Sequence, residues 1–121
     1  MNDDDAPWAQ CSLRIVAGQL TSGELAAQLG RPGSGRGGPG ALGWVTEFAT
    51  NDVPLADQLG IAADFLRTHQ GTLRALPAGA DVSLRVSWTP QRPQDGLALS
   101  TDLIALLAAV HGYLLLDTFL D

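Results

Sequence analysis

The chain has 121 residues, 45% of them apolar, a net charge of −6 and a single cysteine, Cys11. This length suits one domain able to bury roughly two thirds of its unfolded surface, and the apolar content excludes global disorder. One cysteine excludes an intrachain disulfide and a four-cysteine zinc site. The seven arginines are scattered among thirteen acids, with no lysine, and leave no basic footprint of the kind that neutralises nucleic-acid phosphates.

Eleven of the acids are Asp. With the abundant Ala, Gly, Leu and Pro, the composition reads as GC-rich bacterial coding. The opening Met1-Asn2-Asp3-Asp4-Asp5 is acidic where a secretory signal is basic. No apolar run approaches the roughly 20 residues of a membrane helix. The expected location is cytoplasmic.

Residues 1–10 read as a mobile polar tail, and 11–121 as one domain. From Cys11 to Ala17, Cys11, Leu13, Ile15 and Ala17 alternate with Ser12, Arg14 and Val16, the period of a strand with one buried face. Cys11 is expected to be a small core residue. Thr21 and Glu24 then stand at capping-box spacing, Leu20 and Leu25 flank the cap, and Gly30 closes a helix over 22–29.

Residues 31–43, RPGSGRGGPGALG, form a glycine-rich loop. It has no Lys and runs from a helix into a strand, so it fits neither phosphate-loop pattern. Its arginines, Arg31 and Arg36, are candidates for contact with a partner. A second strand is expected at 43–50, with Trp44, Thr46 and Phe48 on one face. Asn51-Asp52 is the expected cap of a long helix over 53–76, with a stripe of Leu55, Leu59, Ala62, Leu66, Leu73 and Leu76. Pro77 stops it.

Val82, Leu84, Val86 and Trp88 alternate with Ser83, Arg85 and Ser87 in a strand over 81–89. Ser100 caps a helix at 101–110, Gly112 is expected to end it, and a last strand fills 113–120. Both faces of that strand are apolar, with Leu114, Leu116 and Leu120 on one and Tyr113, Leu115 and Phe119 on the other. Cover by the long helix is the simpler expectation; a second subunit is the other.

Residues 12–15 read SLRI and 83–86 read SLRV. Each is followed by a loop, a hydroxyl-capped helix, a glycine and a strand. The chain therefore reads as α+β: a two-layer α/β sandwich of repeated βαβ units joined by a long helix, a variant of the ferredoxin-like plait with four main strands and three helices.

The opening Ser12-Leu13-Arg14-Ile15, the helix end Leu29-Gly30, the loop into Gly43-Trp44, the leucine-striped helix, and the stretch from Gly96-Leu97-Ala98-Leu99-Ser100 to Leu115-Leu116-Asp117 together resemble the bacterial family known as domain of unknown function 4279. The resemblance covers about residues 11–119. It implies no activity. Small bacterial domains of this sort accompany contact-dependent toxins as immunity proteins, which makes a toxin-like protein one expected partner.

Neither His69 nor His111 has metal-ligand spacing, and no metal or cofactor is expected. Asp117, set among apolar neighbours, is the candidate perturbed acid, paired with an arginine. If the first and third strands are neighbours, Ser12, Arg14, Ser83, Arg85 and Ser87 share a polar sheet face. Trp44 and Trp88 lie on the opposite side, so this face lacks the stacking platform of an RNA-reading sheet. The residues point first to a non-enzymatic protein-interaction module, monomeric or homodimeric. The alternatives are a small-molecule-binding regulatory domain with a pocket between sheet and long helix, or a small enzyme using Asp117 and arginines.

Overall fold

Alternation of apolar and polar residues becomes four strands, and 3.6-residue periodicity becomes four helices, in a computed structural model that describes residues 9–33, 40–50, 52–88 and 99–118. In chain order these are β1 (Ala9–Val16), α1 (Ser22–Leu29), β2 (Trp44–Glu47), α2 (Leu55–Thr68), α3 (Gln70–Arg74), β3 (Asp81–Trp88), α4 (Thr101–Ala109) and β4 (Tyr113–Thr118). The strands form one mixed sheet in the order β2-β1-β3-β4. The architecture is the expected α+β two-layer sandwich. It has four helices rather than three because the long helix breaks at His69, which caps α2 and precedes α3.

The core lies on one face of the sheet. Cys11, Leu13 and Ile15 of β1 and Leu84 of β3 are fully buried there, with Val82, Val86 and Trp44 beside them. Leu25 and Leu29 of α1, Leu59, Ala62 and Leu66 of α2, Leu73 of α3, and Leu103 and Leu107 of α4 pack in the same cluster. Burial of such side chains contributes about 1.5–3 kcal/mol each. Phe65 of α2 knits the layers, its ring 6.0 Å from Trp44, 5.5 Å from Phe48 and 4.4 Å from His69. His69 is therefore half-buried against an aromatic ring rather than turned fully to solvent.

Each half keeps the order strand, helix, strand, but the strand directions differ. β1 and β2 are antiparallel; β3 and β4 are parallel. The connections explain this. After α1 the chain runs back to the start of the helix, where Ser22 N–H donates to Ala41 O at 2.7 Å and Gly43 N–H donates to Leu20 O at 3.2 Å. That return undoes the travel of α1, so β2 begins beside the end of β1, with Trp44 opposite Ile15. After α4 there is no return loop, and β4 begins at Tyr113 beside Ser83, near the start of β3.

The caps of α1 and α4 match the sequence reading. Glu24 N–H donates to Thr21 Oγ1, Thr21 N–H donates to Glu24 Oε1, and Gly30 takes the left-handed conformation. Ser100 Oγ accepts from Leu103 N–H at 3.1 Å. Two other expectations are corrected. Pro54, not Asn51-Asp52, is the N-cap of α2 and supplies no side-chain bond; Asp52 instead accepts a hydrogen bond from the Thr50 hydroxyl, and Asn51 lies outside the described residues. At the end of α4 the left-handed residue is His111, with φ of +57°, whereas Gly112 is where the chain passes close against Leu107 and the Val82 carbonyl.

Candidate functional site

The strand register sorts the side chains of the second sheet face into rows. Glu47, Ser12, Arg85 and Leu115 form one row across β2, β1, β3 and β4; Val45, Arg14, Ser83 and Tyr113 form the next. Gln10, Ser87 and Asp117 follow on one side, and Val16 with Asp81 on the other. Arg14, Glu47, Asp81 and Arg85 are exposed here, while every described helix sends its buried residues to the opposite face. The five residues read from the sequence as one polar face, Ser12, Arg14, Ser83, Arg85 and Ser87, are thus adjacent.

Their environments differ. Ser83 and Ser87 are buried although they point away from the core, because short side chains on β3 sit low between longer neighbours. Each faces a longer side chain across the ladder, Ser83 opposite Arg14 and Ser87 opposite Gln10, and Arg85 stands between them on β3. Arg85 donates from Nε to Asp117 Oδ2 at 3.0 Å and from Nη2 to the same oxygen. Both partners are about half exposed, with side-chain exposures of 55% and 47%. Asp117 therefore has its arginine, but at the surface, not in the apolar setting expected for it. Tyr113 Oη donates to Asp81 Oδ2 at 3.2 Å. The guanidinium of Arg14 makes no such bond among the described residues, and it borders a hollow of about 170 Å³ with Val16, Ser22, Leu42 and Val45.

The glycine-rich loop residues behave otherwise. Arg36 lies outside the described residues, as does the acidic tail. Arg31 is held inside the domain: its Nε donates to Thr46 Oγ1 at 2.6 Å and its Nη2 to Glu47 O at 2.7 Å. Its guanidinium lies 5.4 Å from the centre of the Phe48 ring, and its carbonyl accepts from Trp44 Nε1 at 3.0 Å. Arg31 ties the end of α1 to β2.

Cys11 is fully enclosed, and burial pushes its thiol up to about 12, away from the thiolate a nucleophile requires. Gln58, a polar residue of α2, is fully buried and was not singled out by the sequence. It receives the Cys11 N–H and donates to the carbonyls of Ala9 and Val53.

The space between sheet and α2, the expected ligand pocket, is filled by Leu59, Ala62 and Leu66. An apolar groove of about 410 Å³ lies instead between α2 and the start of α4, lined by Ala56, Leu59, Gly60, Ala63, Leu99 and Ser100. Among the described residues no three His, Cys, Asp or Glu side chains converge, and no helix is long and apolar enough to cross a membrane. Compared with known proteins, the chain matches no family model, no curated protein and no solved structure at a significant level.

Proposed function

We propose that the chain is a non-enzymatic protein-interaction module, of the kind an immunity protein represents, and that a partner protein docks across the sheet face that is helix-free among the described residues. The observation that supports this is the set of short side chains Ser12, Ser83 and Ser87 on the same sheet face as Arg14, whose guanidinium has no hydrogen-bond partner among the described residues. Short side chains let a partner approach the sheet closely, and Arg14 offers five donors in a fixed fork. The net charge of −6 favours a partner of basic surface, since opposite fields speed encounter. Kinship with the domain of unknown function 4279 family belongs to the same proposal and rests on the sequence resemblance alone.

The test is a native pull-down at low salt from extract of the source cells, run in parallel with wild type and Arg14→Glu. One stoichiometric partner retained by wild type and lost by the variant, with unchanged circular dichroism, supports the reading. Capture of no partner, or equal capture by both proteins, overturns it. Small-molecule binding is the second reading, favoured by the 410 Å³ groove, which falls within the roughly 300–1,000 Å³ of ligand sites. A rise in melting temperature with a metabolite, lost in Gly60→Leu, would move the assignment there.

A further inference from the structure

We infer that two copies of this chain join edge to edge through β4, making one continuous eight-stranded sheet about a two-fold axis perpendicular to it. Among the described residues β4 pairs on one side only, with β3. Its side chains are exposed on both faces: Tyr113 and Leu115 at 44% and 46% on the helix-free face, and Leu116 at 52% on the helix face. Ile104 of α4, 51% exposed, adds to the apolar surface of the domain. The cover expected from the long helix is therefore not what the described residues provide.

Isolated edge strands are ordinarily blunted by Lys, Pro, a bulge or an unpaired charge. β4 has neither Lys nor Pro, and pairs with β3 in unbroken register from Tyr113 to Thr118. Its one carboxylate, Asp117, is neutralised within the chain by Arg85. The occupant that suits this strand is another strand of the same kind. Each copy carries −6, which opposes self-association over most of the surface, and β4 is an apolar strip whose own charge is already cancelled.

Symmetry fixes the register. A perpendicular two-fold keeps helix-free face with helix-free face, and directly opposed residues of antiparallel strands share a face. The axis must then pass at a residue, not between two. Centred on Leu115, the pairing sets Leu115 against its own copy, Leu114 against Leu116 of the second copy, and Asp117 against Tyr113. Centred on Leu116 it would set Leu115 against Asp117, and centred on Leu114 it would pair only residues 113–115 of the strand. The first register keeps every leucine from facing a carboxylate.

Sedimentation of the purified full chain, up to about 0.1 mM, tests this. The expected mass is twice the 12.6 kDa of the chain, falling to the chain mass in Leu115→Lys, where two like charges face each other across the axis. Leu115→Cys, mildly oxidised, is expected to give a covalent dimer through position 115, since buried Cys11 does not compete. Arg14→Glu is expected to keep the doubled mass, which separates this inference from partner docking. The chain mass for wild type, a doubled mass in Leu115→Lys, or a doubled mass with no cross-link in Leu115→Cys would each overturn it.

Discussion

The backbone N–H of Cys11 donates to the side-chain oxygen of Gln58 at 2.8 Å, and the Gln58 amide nitrogen returns a bond of the same length to the carbonyl of Ala9. One amide from α2 thereby pairs with β1 as a neighbouring strand would, at the end of β1 beyond its register with β2. Gln58→Leu leaves a buried N–H and carbonyl without partners. The expected cost is about 2–4 kcal/mol, read as a lower urea midpoint with unchanged slope. Gln58→Glu places an ionised carboxylate where donors to Ala9 and Val53 are needed. Its folded-state pKa is raised, so its stability deficit shrinks as pH falls and grows as pH rises through that value.

Cys11 makes a second pH-dependent prediction. Burial raises its thiol from 9.0 to about 12, so the folded chain keeps the proton while the unfolded chain releases it. Its contribution is complete below pH 9.0 and is lost as pH rises towards 12. The slope is about 1.4 kcal/mol per pH unit. Cys11→Ala is less stable at neutral pH but lacks this slope, and urea titrations between those limits compare the two. In the native wild type, an aromatic disulfide reagent reacts at the rate of global opening.

Arg31 is expected to act on stability rather than on partner capture. Arg31→Ala removes two charge-assisted hydrogen bonds and the Phe48 contact, at about 1–3 kcal/mol. Lys cannot reproduce the two-pronged geometry, so Arg31→Lys recovers only part of the loss in thermal unfolding.

At the α4–β4 junction neighbouring substitutions have opposite signs. His111→Gly relieves a left-handed backbone and stabilises by about 1 kcal/mol. Gly112→Ala places a Cβ 2.7 Å from Leu107 Cδ1 and 3.2 Å from the Val82 carbonyl, and destabilises by about 1–3 kcal/mol. Urea midpoints of the two variants check both signs.

Features governed by near neighbours in the chain were legible. Thr21, Glu24 and Gly30 bound α1 because capping is settled within a few residues, and the leucine stripe of α2 and α3 met the core because helical spacing dictates its face. Strand direction was not legible: it depends on whether the chain after α1 comes back into the sheet beside the start of the helix, where residues 41–43 lie, or beyond its end, which glycine-rich composition does not encode. Gln58 was missed because a polar residue on a helix ordinarily faces water, and its main partners, the Cys11 N–H and the Ala9 carbonyl, belong to β1, far away in sequence. For the surface, alternation in β1 and β3 was enough to group Ser12, Arg14, Ser83, Arg85 and Ser87. The inward commitment of Arg31 depended on Thr46 and Phe48 arriving from another strand.

The central pairing of the sheet also constrains how the chain folds. β1, the earliest in sequence of the described strands, is flanked on both sides, and one neighbour is β3, which follows α1, β2, α2 and α3 in sequence. The N-terminal helix and strand can form early, but β1 completes its ladder only after a long loop closes, with Leu13 meeting Leu84. Such non-local pairing slows folding relative to helical proteins of equal length. Until β3 arrives, the apolar row Cys11, Leu13 and Ile15 stands at an unpaired edge, which is when a nascent chain is most prone to aggregate.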